Sequence, residues 1–174
     1  MKRLALMDER VFQWIAAHKS NQPEKWIPKT LRVVSRSADG YLYAPLAAML
    51  FYFDNEHGAL FVYTAVMAYM FEIPLYLAMK QVFKRPRPCD YLCDLHALVK
   101  PADKFSLPSG HTAAAFLMAT IVSHFYPSSF AFIMLWACLV GVSRVVLRVH
   151  FPLDVIIGAS LGISVASVSI LILG

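Results

Sequence analysis

The chain has 174 residues, of which 59% are hydrophobic and 16% are charged, and its mean hydropathy is +0.57. Soluble domains contain only about 45–50% apolar residues, so this composition excludes an ordinary soluble domain and indicates one integral-membrane domain over residues 1–174. The net charge of +5 does not indicate nucleic-acid binding, because the sequence has no soluble module with interleaved basic and aromatic residues. In a membrane protein, such charge is typical of cytoplasmic loops, anionic-lipid contacts or a phosphate site.

Residues 1–40 are predicted to form an amphipathic segment at the membrane interface. Their apolar positions recur with helical spacing and include Phe12 and Trp14, which is the pattern of an interfacial helix. The opening stretch MKRLALMDER ends its apolar run with three consecutive charges, which disfavours a cleavable signal peptide.

Five apolar segments follow this N-terminal segment. They are residues 41–54, 58–83, 109–126, 129–147 and 152–173. Because lipid offers the backbone no hydrogen bonds, segments that cross the bilayer must be helical. The first is short for a hydrocarbon core of about 30 Å, so we expect it to recruit residues before Tyr41. The predicted fold is all-α, a polytopic membrane bundle of five to six transmembrane helices.

Glu72 lies inside the second apolar segment, shortly before Pro74. An ionisable group at membrane depth is a candidate functional residue. The simpler interpretation is a protonated or paired glutamate that faces the bundle next to a kink at Pro74.

Three polar clusters interrupt the apolar sequence, each at the end of a predicted span. They are KQVFKRPRP from Lys80, FSLPSGHT from Phe105, and SRVVLRVHFPLD from Ser143. If these span ends lie at one membrane face, the clusters come together there.

The second cluster leads directly into an apolar helix, so Ser109 is a natural helix N-cap. A helix start presents free N–H groups to an anion, and Gly110 lets the anion approach the backbone without a Cβ in the way. The alternative is a plain cap followed by an incidental His111.

In the third cluster, His150 and Asp154 flank Pro152, which suits the first turn of a helix. At this spacing the carboxylate can hold one ring N–H of the histidine and leave the other nitrogen free to attack. An ordinary helix-start pair is the alternative for these two residues, and a headgroup contact is the alternative for Arg144.

Taken together, the clusters supply the parts of a phosphoryl-transfer site. Lys80, Arg87 and Arg144 are cations suited to phosphate oxygens. His111 and His150 supply a general acid and a nucleophile.

The order and spacing of these residues are those of a known signature. The blocks are Lys80, six residues and Arg87-Pro88; Pro108-Ser109-Gly110-His111; and Ser143-Arg144, five residues, His150, three residues and Asp154. Over residues 70–165 they resemble the phosphatase signature of the type 2 phosphatidic acid phosphatase (PAP2) superfamily.

The resemblance implies a helical bundle and a role for each residue of the signature. His150 would attack phosphorus, Asp154 would orient it, and His111 would protonate the leaving oxygen and then activate water. The phosphate-binding set would be Lys80, Arg87, Ser109, Gly110 and Arg144. No metal or other cofactor is implied. Lys84 and Arg148 lie outside the signature and are expected to contact headgroups or solvent.

The membrane branch of this superfamily acts on lipid phosphates or diphosphates. We therefore expect a lipid phosphatase whose substrate is phosphatidic acid, phosphatidylglycerophosphate or a polyprenyl phosphate or diphosphate. Two alternatives stay open, namely a lipid-to-lipid phosphotransferase and a non-catalytic lipid-phosphate binder or transporter. The oligomeric state is not predicted.

The expected location is the inner cell membrane, and the side of the active site stays open. In a five-span topology all 16 Lys and Arg residues lie on the active-site face, which the positive-inside rule places in the cytoplasm. Most bacterial relatives are believed to work on the outer face. Cys89 and Cys93 are too few for a zinc site and are interpreted as loop thiols or one local disulfide.

Overall fold

The computed structural model describes residues 2–17, 29–91, 96–101 and 103–173, and all regular structure among them is helical. The helices are α1 (Lys2–Ala17), α2 (Lys29–Ser37), α3 (Tyr43–Phe53), α4 (Gly58–Phe83), α5 (Pro88–Tyr91), α6 (Gly110–Phe125), α7 (Phe130–Val146) and α8 (Pro152–Leu173), with a 3₁₀ turn at Pro127–Ser129. The predicted all-α class is confirmed.

Among the described residues, three helices are long and apolar enough to cross a membrane. They are Gly58–Asp90, Pro127–Val146 and Pro152–Leu173, and they match three of the five predicted spans. The other two predicted spans correspond to α3, with 11 residues, and α6, with 16.

The expectation that the first span recruits residues before Tyr41 is wrong. A turn at residues 38–42 separates α2 from α3, and Gly40 adopts a φ of 89° within it. Glycine enters this left-handed region readily because it has no Cβ, so the chain changes direction here instead of continuing one helix.

Helix α6 forms the centre of the bundle and packs against α8, α7 and α4. Its contact with α8 is close because α8 presents glycines to it. A Cβ at Gly158 would lie 2.6 Å from the carbonyl oxygen of Ser109, and one at Gly162 would overlap the carbonyl oxygen of Ala113. This approach brings the first turn of α8 against the first turn of α6.

The outer surface of the bundle is apolar, as a lipid-facing surface must be. Side chains such as Met70 and Phe71 on α4 and Leu171 on α8 are more than half exposed. These helices therefore bury their small residues inside and turn large apolar ones toward lipid.

Helix α1 packs on α7 and α8. Phe12 is fully buried, with its ring 5.2 Å from that of Phe151 in an edge-to-face arrangement, whereas Leu6 and Trp14 are exposed. The predicted amphipathic character is therefore present in Lys2–Ala17. Residues 18–28 of the predicted N-terminal segment lie outside the described residues.

Candidate active site

Four helix ends meet at one end of the bundle and bring the three predicted clusters together. Lys80 lies in the last turn of α4, His111 in the first turn of α6, Arg144 in the last turn of α7 and Asp154 in the first turn of α8. A cavity of about 670 Å³ opens at this end of the bundle, and Asp154 lies behind His150 without lining it. Its lining includes Lys80, Arg87, Gly110, His111, Arg144 and His150.

His150 is buried, with 2% of its surface exposed. Its Nδ1 lies 2.7 Å from the carbonyl oxygen of Ser106, and since a carbonyl only accepts, Nδ1 carries the proton. Nε2 then carries the lone pair and lies 3.4 Å from Nη1 of Arg87. Burial lowers the pKa of His150 to about 4, so the ring is neutral at pH 7.

Asp154 is buried beside His150 but does not form the predicted direct hydrogen bond. Its Oδ2 is 3.7 Å from Nδ1 of His150, too long for a hydrogen bond. Instead Oδ2 accepts the backbone N–H of Phe151 at 2.8 Å, because the carboxylate caps the start of α8. Ser106, which the sequence did not single out, holds the ring.

A carboxylate, Asp103, occupies the cationic part of the cavity. Its Oδ1 accepts from Nζ of Lys80 at 2.6 Å and from Nη2 of Arg87 at 2.8 Å. Its Oδ2 accepts from the hydroxyl of Tyr76 at 2.9 Å. Although burial opposes the shift, the Lys80 ammonium lowers the pKa of Asp103. The carboxylate therefore fills the space between the two cations.

Arg87 and Arg144 each also donate a hydrogen bond to a neutral partner. Nη1 of Arg87 donates to the carbonyl oxygen of Val149 at 2.8 Å, and Nη1 of Arg144 donates to the hydroxyl of Ser35 at 2.5 Å. Nε of Arg144 is buried and has no hydrogen-bond partner among the described residues. Arg144 therefore keeps a donor for a ligand.

His111 lies nearer the surface than His150. Its Nε2 is 2.6 Å from Oδ1 of Asp39, in the turn after α2. Neither Asp39 nor Asp103 was predicted, because both belong to irregular segments in which no periodic pattern or spacing indicates their neighbours.

Ser109 occupies the N-cap position of α6 as predicted, but its side chain makes no cap hydrogen bond. Its hydroxyl pairs with that of Thr112 at 2.9 Å. A Cβ at Gly110 would lie 2.8 Å from the ring of Tyr76. A larger residue here would therefore push the tyrosine ring aside, and that ring borders the space predicted for an anion.

The sequence analysis also singled out Glu72, Cys89 and Cys93. Glu72 is buried, with 3% of its surface exposed, so it faces the bundle as the simpler interpretation predicted, and it also lines the cavity. Cys89 has a free thiol, whereas Cys93 lies outside the described residues.

The family model of the PAP2 superfamily matches residues 57–174. The chain belongs to the PAP2 superfamily. The resemblance inferred from the three signature blocks is therefore confirmed.

Individual relatives agree with this family. The chain is 29% identical over 142 residues to an undecaprenyl-diphosphatase of Sulfolobus acidocaldarius, a match that covers 79% of this chain and 66% of that relative. It therefore spans slightly less than two thirds of that relative's length.

Two solved structures have the same fold. The LpxE structure from Aquifex aeolicus has a TM-score of 0.78 and 33% identity, and the match covers 92% of this chain and 93% of that one. A transmembrane PAP2-type phosphatidylglycerolphosphate phosphatase from Bacillus subtilis has a TM-score of 0.76 and 23% identity, with coverages of 99% and 87%.

Proposed function

We propose that this PAP2 protein is a membrane lipid phosphatase in which His150 is the nucleophile. One observation carries the proposal. The ring of His150 is neutral, its Nδ1 is held by Ser106, and its Nε2 lies beside Arg87 at the cavity. A histidine held in this tautomer, with its free nitrogen next to an anion-binding cation, suits in-line attack on phosphorus.

The proposed reaction has two steps, transfer of the phosphoryl group to His150 and hydrolysis of the P–N bond. Nε2 of His150 attacks phosphorus and forms a P–N bond while the P–O bond to the lipid breaks, and His111 gives its proton to the departing oxygen. His111 then takes a proton from water, whose oxygen attacks phosphorus, and the P–N bond breaks to release phosphate. Lys80, Arg87 and Arg144 stabilise the charge on the phosphoryl oxygens, which requires Asp103 to leave them.

The substrate class we propose is a lipid phosphate or diphosphate. The apolar outer surface places the protein in a lipid bilayer, and the cavity holds Arg32, Arg36 and Lys100 in addition to the phosphate-binding cations. Such an excess of positive charge suits a strongly anionic headgroup. The name of the Sulfolobus relative, an undecaprenyl-diphosphatase, supports a polyprenyl diphosphate among these substrates.

We further propose that the protein resides in the cell membrane as a multi-pass protein. The candidate membrane-spanning helices support this location.

The test is phosphate release by purified protein from phosphatidic acid, phosphatidylglycerophosphate and polyprenyl mono- and diphosphates, with and without EDTA. We expect His150→Ala to lower kcat by about 10³-fold or more, with turnover of the wild type unaffected by the chelator. His111→Ala should lose less with an aryl phosphate, whose leaving group needs no proton. The exposed His124 at the opposite end of α6 provides the control His124→Ala. Near-normal turnover by folded His150→Ala contradicts the proposal, and no turnover of any lipid by the wild type favours a binding protein.

A further inference from the structure

Arg85 lies between two signature residues but is not itself part of the signature. Its Nη1 donates to Oδ1 of Asp154 at 2.8 Å, and its Nη2 donates to Oδ2 of Asp8 at 2.7 Å. The side chains of Asp154 and Asp8 are 0% and 5% exposed, and that of Arg85 is 18% exposed. One guanidinium therefore joins a buried carboxylate of the active site to a buried carboxylate of α1.

This contact gives the buried carboxylate of Asp154 a cationic partner. Among the described residues, Arg85 is the one cation that donates a hydrogen bond to Asp154. A buried carboxylate without a cationic partner is strongly disfavoured. Arg85 thus compensates this buried carboxylate and fixes its position at the start of α8, next to the ring of His150.

The backbone of Arg85 fixes the other partner of His150. Its carbonyl oxygen accepts from the N–H of Ser106 at 2.9 Å and from the Ser106 hydroxyl at 3.3 Å. The carbonyl of Ser106 in turn accepts from Nδ1 of His150. Arg85 therefore holds two neighbours of the histidine. Its backbone holds Ser106, whose carbonyl accepts from the ring, and its side chain holds Asp154, whose carboxylate accepts from the backbone N–H of Phe151, the residue after His150.

Helix α1 supports Arg85 from outside the signature. Oδ1 of Asp8 accepts from the backbone N–H of Leu153 at 2.9 Å, so this carboxylate bridges Arg85 and the first turn of α8. The Arg85 guanidinium lies 4.2 Å above the ring of Phe151, and Phe12 of α1 packs against the same ring.

We propose that Arg85 is a positioning residue for the nucleophile and that Asp8 makes α1 part of its support. This inference rests on the proposed role of His150. It adds two residues to the proposed site. Arg85 is a cation that does not bind phosphate, and Asp8 is a carboxylate outside the region that the PAP2 family model matches.

The test compares kcat, KM and inhibition by inorganic phosphate for the variants Arg85→Gln, Arg85→Lys and Asp8→Asn in the full chain. We expect Arg85→Gln to lower kcat by about 10- to 100-fold, because His150 loses its orientation. The inhibition constant of phosphate should stay within about threefold, because Lys80, Arg87 and Arg144 are untouched. Arg85→Lys should recover only part of the loss, since an ammonium cannot bridge both carboxylates with a planar fork.

Lys84→Gln is the matched control, because it removes the same charge from the neighbouring exposed side chain. It should leave kcat unchanged. Asp8→Asn should lower kcat less than Arg85→Gln does, and the double variant should be no slower than Arg85→Gln alone, because Asp8 acts through Arg85. If the double variant loses kcat by the product of the two single losses, Asp8 acts independently of Arg85, and the role given to Asp8 is wrong.

Two outcomes separate this inference from the proposed function. If His150→Ala is inactive while Arg85→Gln has normal kcat, the positioning role is wrong and the nucleophile stands. If Arg85→Gln weakens phosphate inhibition by as much as it lowers kcat, the substitution disrupts the whole site. That result would also overturn the positioning role. If Arg85→Gln does not fold, Asp8→Asn decides, since normal kcat in that variant contradicts the proposal.

Discussion

His150 owes its neutral state to its position between buried cations and apolar packing. Burial disfavours the protonated form, and a further positive charge would lie close to Arg87, so the pKa of His150 is lowered to about 4. A free imidazole titrates near 6.5 and would lose its lone pair in mildly acidic conditions. The buried ring keeps that lone pair available over a wider range of pH.

This state predicts the acid limb of the pH–rate profile. In the His111→Ala variant with an aryl phosphate, kcat/KM corrected for ionisation of the substrate should fall with decreasing pH only as the pH nears about 4. The rate falls because protonated Nε2 cannot attack phosphorus. The measurement is kcat/KM between pH 4 and 8, and an acid limb centred near 6.5 would show that His150 is not the buried neutral base described above.

We predict that the carboxylate of Asp103 competes with phosphate for Lys80 and Arg87. The carboxylate accepts hydrogen bonds from Lys80 and Arg87. The substitution Asp103→Asn therefore removes the negative charge that an incoming phosphate must displace. We expect the inhibition constant of inorganic phosphate to fall by about tenfold, which corresponds to about 1.4 kcal/mol. Asp90→Asn, which changes a more exposed carboxylate in the same region, should have no effect. An unchanged or higher constant for Asp103→Asn would mean that this carboxylate organises the cations instead of competing for them.

At the scale of the helices, the site depends on how closely α8 approaches α6. The glycines of α8 let its first turn reach Ser109, and the backbone N–H of Ser109 donates to the carbonyl oxygen of Asp154 at 3.0 Å. A side chain at this interface would separate the residues of the second and third signature blocks.

Gly162→Ala tests this close packing. In an open helix position the change would stabilise by about 0.5–1 kcal/mol, but here the new Cβ would overlap the carbonyl oxygen of Ala113. We expect a loss of about 1–3 kcal/mol from overpacking, measured as a lower melting temperature in detergent. Ser164→Ala on the exposed face of α8 is the control. Equal or higher stability of Gly162→Ala would show that the two helices can move apart freely.

The sequence predicted the helices better than it predicted the contacts of the site. Long uncharged segments and signature spacing suffice to place Lys80, His111 and Asp154 at helix ends, since both are local patterns. The roles of Ser106, Asp103 and Asp39 depend on how irregular segments fold back over those ends. The spacing of His150 and Asp154 suggested a direct hydrogen bond, but the carboxylate satisfies the backbone at the start of α8 first.

At the scale of the whole molecule, the structure weakens the argument from basic residues that the active site faces the cytoplasm. Arg32 and Arg36 belong to the N-terminal cations that suggested a cytoplasmic site, yet both line the cavity. Cations that serve a substrate report topology poorly, so the positive-inside rule applies with more force to the remaining basic residues on that face.

Labelling of Cys89 and Cys93 in intact cells decides the orientation. With the exposed Cys138 replaced by alanine, a cytoplasmic site predicts that a membrane-impermeant maleimide reacts only after permeabilisation, because cytoplasmic thiols stay reduced and shielded. A variant with Cys89→Ser and Cys93→Ser gives the background. Labelling of intact cells, before or after addition of a reductant, would place the site on the outer face.

The bridge from Asp8 through Arg85 to Asp154 also has a consequence for biosynthesis. Asp8 and Arg85 leave the ribosome early, whereas Asp154 and the nucleophile four residues before it are made only as α8 begins. The contact between Asp8 and Arg85 needs no residue of α8, whereas the contact of Arg85 with Asp154 and that of Asp8 with the backbone of Leu153 do. Under the proposed mechanism, a chain that stops before His150 lacks the nucleophile, so we expect it to be inactive.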